Sequence, residues 1–131
     1  MGVWLAVAMG GALGSMARHG VNHLQRTFLL STHFPVATMT VNLVGCFAIG
    51  FLSGINSQRI PFFRFYWREF LVVGVLGGFT TFSTFGLDTY TLARAHSSTI
   101  AALNVGVQVV GGLAAVWLGH AVAMASGLAR A

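Results

Sequence analysis

Four apolar stretches, residues 2–24, 34–55, 70–93 and 99–127, take up nearly the whole chain. A bilayer's hydrocarbon core of about 30 Å is crossed by roughly 20 helical residues, so each stretch is long enough to span it. The connectors, at 26–33, 56–69 and 94–98, leave no segment over for a soluble domain. The charge count points the same way. The 131 residues hold 7 arginines, no lysine and 2 acids, and the 7% charged fraction compares with roughly 25% in an ordinary globular domain. Such a chain lacks the polar side chains to cover a soluble surface. The expected fold is an all-α integral membrane protein, residues 1–131 forming a single membrane domain of four transmembrane helices.

Several functions fall away on the same counts. The formal net charge of +5 reflects scarce acids, and the scattered arginines make no dense basic patch, so nucleic acid is not an expected partner. The lone Cys46 excludes an intrachain disulfide and any multi-cysteine metal site. The opening MGVWLAVAMGGALG starts with no basic residue and shows no cleavage signal, so it reads as the first span and not as a signal peptide. Glu69 opens the third span and Asp88 lies towards its far end, and neither has a catalytic partner in the sequence. His19, His23, His33, His96 and His120 sit mostly near span ends without ligand spacing, which suits interfacial roles. IPFFRFYWR, at 60–68, reads as an interfacial anchor. No enzyme is expected.

The third span reads FLVVGVLGGFTTFSTFGLDTYTLA and is not a plain helix. Gly74, Gly77 and Gly78 are poor helix formers at mid-membrane, and Thr80, Thr81, Ser83 and Thr84 follow at once. A break near 77–80 is expected, and broken helices are tolerated in membranes only where the freed backbone faces protein, water or an ion. Close packing is the other use of such glycines, since Gly10–Gly14, Gly50–Gly54 and Gly74–Gly78 are all GxxxG pairs.

The remaining polar residues fall on stripes. Thr38 and Asn42 are spaced i, i+4 on the second span, with Gly45 a turn further on, and Asn104 and Gln108 repeat the spacing on the fourth, followed by Gly111 and Gly112. Gly11, Ser15, Arg18 and Asn22 share a face of the first. Intramembrane polar groups point at protein or water, so these stripes are either interhelical hydrogen bonding or the lining of a pathway. Three amides, costly to bury, favour the lining. Phe82 and Phe85 lie three residues apart on one helix face. They serve as filler, or their positive ring edges help to solvate a small hard anion.

Arg59, Arg64, Arg68 and Arg130 fall on one membrane face against Arg26 and Arg94, with Arg18 near them, on the other. The positive-inside rule needs a larger difference to orient a chain. Insertion both ways, giving an antiparallel homodimer, is the expected product.

GGALGSMAR at 10–18, VNLVGCFAIG at 41–50 and above all GGFTTFSTFG at 77–86 resemble the small dual-topology fluoride channels of the Fluc (CrcB-type) family. The likeness runs over the whole chain. It implies a fluoride-selective channel that exports cytoplasmic fluoride passively and so confers fluoride resistance, acting as an antiparallel homodimer with two pores in the bacterial plasma (inner) membrane. It also implies residue roles. Asn42, Phe82 and Phe85 fall on the family's pore residues, and Arg18 on its vestibule arginine. Gly77 and Thr80 fall on the break positions whose carbonyls hold a structural sodium ion at the dimer interface. The expected fluoride pathway comprises Asn42, Phe82, Phe85, Thr38, Ser83, Thr84, Asn104 and Gln108. The fourth span departs from the family pattern: Asn104 stands where Tyr or Asn is usual, Gln108 where Ser or Asn is usual and Gly112 where Ser is frequent.

Chemistry agrees with that expectation, since a strongly hydrated anion enters a low-dielectric path only where amides, hydroxyls and ring edges replace its water. Two rival classes are a dual-topology small multidrug-type proton-coupled exporter and a purely structural oligomer of GxxxG helices. The exporter needs a deep exchangeable carboxylate, for which Asp88 is the only candidate. The oligomer leaves the FTTFSTF run without a purpose.

Overall fold

The computed structural model describes residues 2–28, 34–55 and 66–126. His33, Arg59, Arg64, Gly127 and Arg130, with the greater part of the IPFFRFYWR segment, lie outside the described residues. Within them every regular element is a helix: α1 (Gly2–Phe28), α2 (Val36–Gly54), α3 (Arg68–Leu76, wound as a π-helix), the single turn α4 (Gly77–Phe79), α5 (Phe82–Ala95) and α6 (Ser98–Ala125). Three helical runs are long and apolar enough to cross a membrane: Val36–Gly54, Arg68–Ala95 and Ser98–Ala125, of 19, 28 and 28 residues. The α1 helix is 27 residues long and more polar in its second half, where Arg18, His19, His23 and Arg26 follow one another. The turn between α5 and α6 is closed by hydroxyl and backbone caps. His96 and Ser97 both donate to the Leu92 carbonyl, at 3.0 and 2.9 Å, and Ser97 Oγ then accepts from Thr99 N–H at 3.1 Å to start α6.

Glycine sets the two main helix pairs. A Cβ built on Gly50 of α2 would run into the Val116 carbonyl of α6, and one built on Gly119 of α6 would run into the Phe47 carbonyl of α2. Each helix therefore offers the other a bare backbone, and close approach gains dispersion contact where lipid supplies no hydrophobic drive. Gly10 and Gly14 of α1 meet the backbone of α3 in the same way, and Gly78 meets α1 at Gly11. The packing use of the GxxxG pairs is thus realised at all three.

The break is sharper and one step later than glycine propensity suggests. Gly77 is ordinary helix, with φ −63° and ψ −36°. The chain leaves helical geometry at Thr80 (φ −82°, ψ 162°) and Thr81 (φ −155°, ψ 114°). The two glycines of the pair differ in kind. A Cβ on Gly78 would stand 2.6 Å from the Gly11 carbonyl oxygen, whereas one on Gly77 meets nothing nearer than the Val72 carbonyl at 3.8 Å. Gly78→Ala is accordingly expected to lose roughly 1–3 kcal/mol by overpacking while Gly77→Ala leaves the subunit fold nearly unchanged. Thermal unfolding of both variants in detergent checks the contrast, and equal losses would count against it.

Candidate functional site

The last helical hydrogen bond before the break runs from Thr80 N–H to the Leu76 carbonyl at 2.9 Å, and the Thr80 hydroxyl donates to the same oxygen at 2.9 Å. The next amide does not continue the ladder. Thr81 N–H donates to Asn42 Oδ1 of α2 at 2.9 Å, and Asn42 Nδ2 donates back to the Thr81 carbonyl at 3.2 Å. One side-chain amide thereby satisfies both backbone groups of Thr81, each of which would be costly to leave bare inside a membrane. The Thr81 side chain, 8% exposed, opens α5: its Oγ1 accepts from Thr84 N–H at 3.2 Å and lies 3.0 Å from Thr84 Oγ1 and 3.2 Å from Ser83 Oγ. Ser83 and Thr84 are joined to the site through that hydroxyl.

From Asn42 a line of amides crosses to α6. Asn42 Nδ2 donates to Gln108 Oε1 at 2.7 Å, Gln108 Nε2 to Asn104 Oδ1 at 2.8 Å, and Asn104 Nδ2 to Thr89 Oγ1 at 2.8 Å. The Thr89 hydroxyl ends the line on the Phe85 carbonyl at 2.8 Å. Gln108 is 8% exposed and Asn104 fully buried.

Beside the break lies an open groove of about 540 Å³. Its polar lining comes from Asn42, Gln108, Thr80 and Thr81, and its aromatic lining from Phe82 and Phe85. Among the described residues, no Asp, Glu, Lys, Arg or His lines it. The two rings stand with centroids 5.5 Å apart and planes tilted by 52°, and Phe82 is 82% exposed on the single chain. Gly77 also lines the groove, whereas Arg18, Thr38, Ser83, Thr84 and Asn104 lie off it. Arg18 donates to the Thr80 carbonyl at 3.2 Å from the α1 side. Thr38, at the far end of α2, donates to Asp88 Oδ2 at 2.7 Å. The acid that a proton-coupled exporter would use is thus held by a hydroxyl and does not line the groove. Thr81 as the partner of Asn42, and Thr89 altogether, were missed as site residues in the sequence; a hydroxyl two turns after the break is the one local signal for Thr89. Among the described residues, no three His, Cys, Asp or Glu side chains cluster to hold a metal ion.

A family model described as CrcB-like protein, Camphor Resistance (CrcB), matches residues 5–120, which takes in the break, the groove and the amide line. The chain belongs to the CrcB-like family. Among its relatives, a protein of Methylobacillus flagellatus named as a fluoride-specific ion channel is 44% identical over 88% of this chain and 89% of its own length. A second channel of that name from Symbiobacterium thermophilum is 44% identical over 89% of this chain and 94% of its own. A third, from Helicobacter pylori, is 45% identical over 70% of each. CrcB-like membership and the apolar helices together make this a multi-pass membrane protein.

Proposed function

We propose that this chain is the subunit of a fluoride-selective channel that exports cytoplasmic fluoride passively. Its four spans, α1, α2, α3 to α5, and α6, insert in both orientations, and two subunits pair antiparallel in the bacterial plasma membrane. The observation that carries the reading is the groove, uncharged among the described residues, whose lining combines a clamped amide, Asn42, with two tilted phenylalanine rings. A fixed cation there would hold a small anion too tightly to release it, and a bare apolar wall would not strip its water. Amide protons and ring edges lie between those limits. The named activity of the relatives supports the same ion.

Efflux from proteoliposomes tests the reading: fluoride is expected to leave quickly and chloride slowly. Equal rates for both, or none for fluoride, would overturn it. Cysteines introduced in the 94–98 connector are expected to label from both sides of intact cells, and labelling from one side alone would remove the antiparallel arrangement.

The break also suits a structural cation. Because Thr81 N–H turns to Asn42, the Gly77 carbonyl loses its usual helical donor, and the Thr80 carbonyl leaves the ladder at an extended residue. Two hard backbone oxygens per chain, doubled by a twofold axis, fit a sodium ion at the dimer interface. When bound there, sodium would neutralise the facing carbonyl dipoles and tie the subunits together. Arg18 already uses one lone pair of the Thr80 oxygen, which leaves the other for the ion. Exchanging sodium for a bulky organic cation during purification is expected to shift the protein from dimer to monomer on size-exclusion chromatography with light scattering. An unchanged dimer would argue against the site.

A further inference from the structure

The polarity of the amide line is not arbitrary. The two ends of an Asn or Gln side chain are opposite in character, one accepting and one donating, so each must be oriented by a partner that cannot reverse. Thr81 N–H is such a partner, because a backbone amide can only donate. It holds Asn42 Oδ1 at 2.9 Å, which turns Asn42 Nδ2 towards Gln108. Gln108 must then present Oε1 to Asn42, which turns its Nε2 to Asn104, and Asn104 must present Oδ1 and turn its Nδ2 to Thr89. The line ends on the hydroxyl of Thr89, a group able to accept from Asn104 and donate to the Phe85 carbonyl at once. One backbone N–H at the helix break therefore orients three side-chain amides across α2 and α6, and the far end is anchored one turn beyond Phe85.

We propose, resting on the fluoride-channel reading, that Asn104 and Thr89 are positioning residues for the anion path. Neither lines the groove. They act on Asn42 through Gln108. Asn104 locks the rotamer of Gln108, Gln108 Oε1 holds Asn42 Nδ2 at 2.7 Å, and Asn42 is thereby fixed by three hydrogen bonds beside the rings. A donor that must replace an anion's water works only if it is already aimed when the ion arrives, since reorganisation inside a dehydrated path is slow and costly. The two bonds that Asn42 Nδ2 donates are unequal, 2.7 Å to Gln108 and 3.2 Å to the Thr81 carbonyl. The longer one is the bond an anion displaces, and the shorter one keeps the amide in place while it does so.

The test compares fluoride and chloride flux per folded channel in proteoliposomes, with unfolding followed separately. Thr89→Val keeps the shape of the side chain and removes the acceptor; Asn104→Leu keeps the volume and removes both ends of its link. Each is expected to lower the fluoride-to-chloride ratio about two- to tenfold, the factor that one lost hydrogen bond commands. Thr89→Ser, which retains the hydroxyl, is expected to restore the wild-type ratio. In Gln108→Leu the line is already cut, so adding Asn104→Leu is expected to change the ratio no further. A merely structural role would lower the unfolding temperature and leave the ratio per folded channel untouched. That result for Thr89→Val and Asn104→Leu, or additive effects in the double variant, would overturn the proposal while wild-type channels still carry fluoride. Wild-type liposomes that retain their fluoride would instead overturn the channel reading, and the proposal with it.

Discussion

Asn42→Asp is expected to abolish fluoride efflux and to destabilise the subunit at the same time. The carboxylate keeps an acceptor for Thr81 N–H but has no proton for the Thr81 carbonyl, which now faces a negative oxygen at about the 3.2 Å that Asn42 Nδ2 occupied. An acceptor left facing an acceptor in a part-buried place costs about 1–3 kcal/mol, so the unfolding temperature should fall by several degrees. The Gln108 side is more forgiving. Gln108 is able to turn its Nε2 to the new carboxylate, Asn104 reverses in turn, and the Thr89 hydroxyl rotates to donate to Asn104. Fold is thus weakened and not lost. Transport fails for a second reason: a negative charge now stands on an otherwise uncharged groove, where the low dielectric leaves it poorly screened. Efflux from liposomes and thermal unfolding of the same preparation separate the two effects, and a folded Asn42→Asp protein that passes fluoride at the normal rate would remove Asn42 from the pathway.

Phe82→Ile and Phe85→Ile are expected to fold and dimerise yet carry fluoride at a tenth of the wild-type rate or less. If the rings were filler, a swap of similar volume would cost less than about 1.5 kcal/mol and leave flux intact. The placement of the rings argues otherwise. Phe82, 82% exposed on the single chain, is a poor core residue, and both rings line the same groove with their planes tilted by 52° to each other. An isoleucine has no positive edge, so a desolvated anion loses a partner, and about 1.4 kcal/mol of lost stabilisation is already a factor of ten. Phe79 provides the control. It is half-buried, does not line the groove and packs towards Gly45, so Phe79→Leu should keep near-normal flux. Rapid fluoride efflux through both isoleucine variants would return the pair to the role of packing.

Much of this protein is legible in one dimension because the governing terms are local. Span length and hydropathy act on consecutive residues, and they place the helices at Val36–Gly54, Arg68–Ala95 and Ser98–Ala125 close to the expected 34–55, 70–93 and 99–127. The i, i+4 spacing of Thr38 with Asn42 and of Asn104 with Gln108 marks inward faces for the same reason, and the hydroxyl run after Gly78 marks the neighbourhood of the break. Propensity could not say where in that neighbourhood the helix parts. Gly77 and Gly78 stay helical, Gly78 because α1 needs its bare backbone for close approach. The chain parts at Thr80 and Thr81 because Asn42, 39 residues earlier, stands ready to take both backbone groups of Thr81. The other contacts that define the site are equally remote: Arg18 with the Thr80 carbonyl at a separation of 62 residues, Thr38 with Asp88 at 50, Asn42 with Gln108 at 66. Composition and spacing determine that this chain spans a membrane, which faces turn inward and which polar groups must find partners. Which partner each group finds is decided only when glycine-mediated packing sets the helices side by side, because a hydrogen bond is a short-range, directional contact and its donor and acceptor here belong to different helices.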